Sequence, residues 1–165
     1  MWSWLARRLV RWFQTFCSNR ATKSHALAFR RATLDARSVS ALHHLALGTR
    51  DVGRLARFYC DVLGLPELKR HLHADGTLRS VWLDLGGPIL MLEATEDAPR
   101  SVIGVGAGPF LIALSVEPAL RPAFEARLLE AGSAIESRTQ WTSYTRDADG
   151  NRIALSSYPL GAASE

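Results

Sequence analysis

From residue 41 onward, apolar side chains alternate with polar or small ones in short runs, and twice the spacing changes to three and four. Alternation sends successive side chains to opposite faces of a strand, while the three–four spacing lines one face of a helix. The pattern predicts strands at 41–48, 66–72, 78–85 and 88–94 and a helix at 52–63. In that helix Leu55, Phe58, Tyr59, Val62 and Leu63 form one apolar face, Asp51 stands at the capping position, and Gly64 suits the turn that ends it. The same order recurs as a strand at 110–116, a helix at 119–132 and strands near 134–138, 141–147 and 151–157.

The recurrence extends to single residues. "HLAL" at 44–47 lies over "LIAL" at 111–114, and "GGPILML" at 86–92 lies over "DGNRIAL" at 149–155. The chain therefore reads as an α+β domain over 41–158, built from two βαβββ modules, 41–95 and 109–158. The Gly-, Pro- and Ala-rich stretch 96–108 links them, and 159–165 is a tail. Within the linker, "GVGAG" precedes a strand where a phosphate-binding loop needs a helix N-terminus, so it carries no phosphate assignment. "DADG" at 147–150 opens like a calcium loop but lacks the third acidic position and the closing glutamate; it reads as a hairpin turn.

Charge changes the picture of the first forty residues. They hold eight Arg or Lys against the single acid Asp35, so under the overall charge of +4 the rest of the chain is net negative. The basic character belongs to the extension, which removes the case for nucleic acid as a partner of the domain. At 2–16, Trp2, Leu5, Leu9, Trp12, Phe13 and Phe16 recur at three and four with Arg7, Arg8 and Arg11 between them. That pattern fits either an amphipathic helix lying on anionic lipid or docked on a partner, or an extension of low order that includes 21–40. It is too charged to span a bilayer. Cys17 and Cys60 fall in unlike segments, which fits a reducing cytoplasm better than a disulfide framework.

"HHLALGTRDVGRLARFYCDVLGLPEL", "GGPILMLE" and "DADGNRIALSSYP" together resemble the vicinal oxygen chelate superfamily, which includes glyoxalase I, bleomycin-resistance proteins, extradiol dioxygenases and fosfomycin-resistance enzymes. The resemblance implies two curved mixed sheets around a cup, helices on the outer faces, a homodimer and often a divalent metal in the cup. It maps the metal-ligand positions onto His44, Met91, Leu111 and Ala154. Only His44 is a ligand of the expected kind, because Leu and Ala have no donor atom and a thioether is a poor donor to a borderline ion. No metal and no other cofactor is therefore expected. A substitute site from His44, Glu93 and His71 or His73 is the alternative.

Strand parity assigns the remaining candidates. His43, Leu45 and Leu47 are expected against the helices, and His44, Ala46 and Gly48 in the cup, where the two small residues leave space. Trp82, Met91, Glu93, Leu111, Tyr144 and Ala154 complete the expected ligand-binding set, with Trp141 beside them. Three functions remain open at this point. The first is a protein that holds a small, partly apolar molecule in the cup without a metal. The second is a lyase or isomerase, glyoxalase-like rather than dioxygenase-like, using His44 and Glu93 as an acid–base pair. The third is a scaffold docked to a membrane or partner through 2–16.

Overall fold

The structure is a computed structural model that describes residues 41–160. The expectation of an amphipathic helix at 2–16 lies outside the described residues. Strand β1 (His44–Thr49) leads into helix α1 (Val52–Arg57) through Asp51, whose Oδ1 accepts the Arg54 N–H at 2.8 Å. This satisfies one of the N–H groups that a first helical turn leaves unpaired. Past Arg57 the helix widens into a π-helical turn over Phe58–Val62, where the Leu63 N–H reaches the Phe58 carbonyl at 3.4 Å. Within it the adjacent residues Phe58 and Tyr59 are both buried. Gly64, at φ 77°, takes the left-handed conformation that turns the chain out of the helix.

Strands β2 (Glu67–Leu72), β3 (Leu78–Asp84) and β4 (Ile89–Ala94) complete the first module. The second comprises β5 (Ile112–Ser115), α2 (Arg121–Glu130), β6 (Ser137–Arg138), β7 (Thr142–Arg146) and β8 (Arg152–Ser156). The alternation at 134–138 yields only the two residues of β6. The strands form two four-stranded mixed sheets, ordered β1-β4-β3-β2 and β5-β8-β7-β6. β1 runs parallel to β4 and β5 parallel to β8, as the crossover through a helix dictates. β1 and β5 are thus outer strands of their sheets.

Each sheet buries one face. Val81, Leu83, Leu90 and Leu92 pack with Leu55, Phe58 and Tyr59 of the first helix, and the intervening Trp82, Met91 and Glu93 lie on the other face. The second sheet turns Ile153 and Leu155 into the same cluster, and α2 adds Leu128, which is fully buried. One apolar core therefore runs through both modules. Polar contacts follow the same junction: Tyr59 donates to Asp147 Oδ2 at 2.9 Å, Arg127 donates to the Asp61 carbonyl at 2.6 Å, and Arg54 pairs with Asp149.

Within the second module, Glu125 fastens α2 to the sheet. Its carboxylate accepts two bonds from Arg138, at 3.0 and 2.7 Å, and one from Ser143. The Arg138 bonds chiefly hold the Glu125 carboxyl below its ordinary value, with smaller help from Ser143. A carboxyl depressed in the folded state adds stability above its unfolded value and loses it as pH falls through the folded one. Glu125→Gln should therefore cost about 1 kcal/mol at pH 7, with Arg138 half in water and its attraction screened. In denaturant melts the difference from the parent should close at pH 3 and below; a constant gap would show that the charge is not what counts.

Candidate functional site

Pairing register fixes which side chains share a rung on the open face of the first sheet. Ala46, Met91, Trp82 and Lys69 form one rung, and Gly48, Glu93, Ser80 and His71 the next. His44 opens β1 opposite Ile89. Glu93 stands opposite Gly48, four residues further along, which separates it from His44 by about 13 Å of strand. Parity correctly puts the two on one face, yet the register does not bring them together. His44 Nδ1 instead lies 2.9 Å from His43 Nδ1, the rings meeting edge to face at 5.2 Å between centroids. His43, expected beneath the sheet, is exposed. It precedes the first residue of β1; its carbonyl accepts the Ile89 N–H at 3.1 Å, but its ring turns to His44 and stays exposed. A Cβ at Gly48 would sit 3.1 Å from the Thr95 methyl, so the strand is closely approached on that side.

The outer part of that face carries a polar cluster around His71 and Trp82, to which the structure adds Lys69 and Ser80. The His71 ring lies tilted by 53° against Trp82, at 4.8 Å between centroids, and Lys69 Nζ lies 6.0 Å from the Trp82 ring. His71 Nε2, Ser80 Oγ and Trp82 Nε1 are buried without a hydrogen-bond partner. His71 and Glu93 flank Ser80 on neighbouring strands. Neither converges with His44, and His73 belongs to the hairpin closed by its N–H to the Thr77 carbonyl at 2.8 Å. Among the described residues, no group of three or more His, Cys, Asp or Glu side chains is placed to hold a metal ion. With Met91, Leu111 and Ala154 at the companion positions of His44, the donor set does not fit the divalent metal that the resemblance implies.

On the second sheet, Ala154 lies between Ala113 and Tyr144 and is fully buried. The Arg152 guanidinium covers the Tyr144 ring at 4.9 Å. Arg146 and Arg152 also tie down the linker, donating to the carbonyls of Val102 at 3.0 Å and Gly104 at 3.2 Å. The "DADGN" turn is a structural knot. Asp147 accepts the N–H groups of Asp149 and Asn151, the Asn151 side-chain amide and the Tyr59 hydroxyl. Burial pushes the Asp147 carboxyl above its usual range, against the pull of the Asn151 and Tyr59 bonds. Burial and then the neighbouring Asp147 charge raise the Tyr59 hydroxyl well above its ordinary value, so it remains a donor. Burial likewise raises the Cys60 thiol, which makes it a poor nucleophile at neutral pH.

Concave space opens between the modules. A cleft of about 190 Å³ is lined by Leu45, Ala46 and Leu47 from β1, by Phe110, Leu111 and Ile112 at the start of β5, and by Arg100, Val102, Pro109, Asn151 and Arg152. Three consecutive residues of a strand can share a lining only along its edge, since a face would show every second one. A second cleft of about 400 Å³ shares Ala46, Leu47, Arg100 and Asn151 with the first and continues past Gly48, Thr95 and Asp97. Of the expected ligand-binding residues, Ala46 and Leu111 line this space. His44, Trp82, Met91, Glu93, Tyr144 and Ala154 line neither cleft. Arg100 and Arg152 were missed. Arg152 was legible in "GNRIAL", two residues before Ala154 and hence on its face; Arg100 lies in the linker, where no periodicity points.

Paired βαβββ modules, each a mixed sheet backed by a helix, define the class of protein to which this fold belongs. The chain belongs to the Glyoxalase/Bleomycin resistance protein/Dioxygenase superfamily, whose family model matches residues 41–155. Among solved structures it is similar to a lactoylglutathione lyase from Agrobacterium tumefaciens, at 22% identity, covering 71% of this chain and 92% of that one with a TM-score of 0.52. It is also similar to a mutant of the fosfomycin resistance protein FosX from Listeria monocytogenes, complexed with Mn(II) and 1S,2S-dihydroxypropylphosphonic acid. That match has 15% identity, covers 74% and 96% of the two chains and has a TM-score of 0.63. A glyoxalase/dioxygenase from Nostoc punctiforme matches at 21% identity over 82% and 97%, with a TM-score of 0.59. At these identities the likeness is one of fold. No curated protein matches. Among the described residues, no helix is long and apolar enough to cross a membrane.

Proposed function

We propose that this chain is a small-molecule-binding member of the superfamily that works without a resident divalent metal, its ligand lying in the cleft between the modules. The observation that carries this reading is the cleft itself, about 190 Å³ and bounded by the β1 edge at Ala46 and by Leu111 just before β5. Small concave sites with a mostly apolar lining and a few placed polar groups are the usual form of a ligand pocket. The donor set supports the metal-free part: Met91, Leu111 and Ala154 leave His44 alone, and one imidazole does not hold a divalent ion against water. The acid–base reading loses its geometric support with the separation of His44 from Glu93. Superfamily members bind small molecules and often pair, so a homodimer remains part of the proposal.

Amide-detected NMR of the full chain with a fragment mixture in EDTA tests both parts together. Fragments should shift the amides of Ala46, Leu111 and Val102 to the same extent with and without the chelator. Shifts that vanish in EDTA would overturn the metal-free part. A response confined to the Trp82 face would move the site elsewhere.

A further inference from the structure

The lining of the inter-module cleft is apolar except for two guanidinium groups and one amide. The Asn151 amide is already committed, donating to Asp147 Oδ2 at 2.8 Å. Arg152 is 15% exposed in its side chain and stacked on Tyr144; one of its terminal N–H groups donates to the Gly104 carbonyl at 3.2 Å, while its Nε is buried without a hydrogen-bond partner among the described residues. The nearest carboxylate oxygen, on Glu136, is 3.8 Å away, and Glu136 makes its closer contact with Arg146. Two guanidiniums thus share one carboxylate, which leaves a positive charge uncompensated at the cleft wall. Arg100 adds a second, for which no ion pair forms among the described residues. Asp97 is the one acid near Arg100 in the lining, and it faces the second, larger cleft rather than the first.

The part-buried Arg152 guanidinium, in a lining shared with Leu45, Phe110 and Leu111, is in an unfavourable place unless an anion joins it, and the exposed Arg100 stands at the same cleft. The planar fork of arginine matches a carboxylate, and apolar walls favour an apolar remainder. We infer that the cleft between β1 and β5 takes a small carboxylic acid with an apolar body, its carboxylate held by Arg100 and Arg152. This rests on the reading of that cleft as the ligand site and adds the chemical class of the ligand. The volume limits the body to the size of a single ring, below the range of drug-sized pockets.

Benzoate and benzamide, equal in shape and different in charge, make the test. Titrated into the full chain and followed at the Ala46 and Leu111 amides, benzoate should bind at least tenfold more tightly than benzamide and weaken with added salt. Arg100→Gln, on a side chain with no ion pair to lose, should weaken benzoate about tenfold and leave benzamide unmoved; Arg152→Lys, which keeps the charge but not the fork, should weaken it too. Equal binding of the two probes, or benzoate affinity unchanged in both variants, would overturn the carboxylate while leaving the cleft as a ligand site. Silence of both amides towards both probes would overturn the cleft as well.

Discussion

Asp147→Ala should lower the free energy of unfolding by about 3 kcal/mol, measured by denaturant melts at pH 7. Four donors converge on this one carboxylate: two backbone N–H groups of its own turn, the Asn151 amide and the Tyr59 hydroxyl. Truncation leaves the Tyr59 hydroxyl without an acceptor in a core where the residue is wholly buried, at a cost of about 1–3 kcal/mol for that group alone. The turn loses its fastening as well. Against these losses stands one gain, because burial raises the Asp147 carboxyl and its ionised form is held at some expense at neutral pH. The gain keeps the net effect well below a sum over four bonds. Tyr59→Phe, which removes the hydroxyl instead of orphaning it, should cost about 1 kcal/mol. If Asp147→Ala were no worse than Tyr59→Phe, the knot would be a detail of the turn and not a joint between the modules.

Leu128→Ala should cost about 3 kcal/mol or more, the range for a leucine removed from a core that cannot close over the gap. Leu128 comes from α2 but packs in the cluster that also contains Leu55, Tyr59 and Leu92 of the first module. The cost should therefore be felt on both sides. In native-state hydrogen exchange, the slow amides of β4 and β8 should lose protection by the same amount. Loss confined to β8 would mean that the modules unfold separately.

The sequence carried most of the architecture because period-two and three–four spacing report directly on which side chains face a core. The offset between "HLAL" and "LIAL" identified the repeat, and Asp51 and Gly64 marked both ends of the first helix. The candidate site was less legible, for a geometric reason. Alternation assigns a residue to a face, but pairing register decides its neighbours, and the parallel β1–β4 pairing puts Glu93 beside Gly48 and not beside His44. His43 shows the same limit at a strand's end. The cleft opens along strand edges, so its lining mixes residues from both faces and from the aperiodic linker.

The edge-on approach of β1 and β5 bears on how such a protein can change its ligand. An outer strand turns main-chain N–H and C=O groups outward, and every residue except proline supplies them alike. If the cleft takes its ligand as proposed, a molecule lodged there would keep a mutation-resistant part of its attachment while Arg100, Phe110 and Leu111 are exchanged around it. Selectivity can then drift one side chain at a time, with the sheets and their shared core untouched.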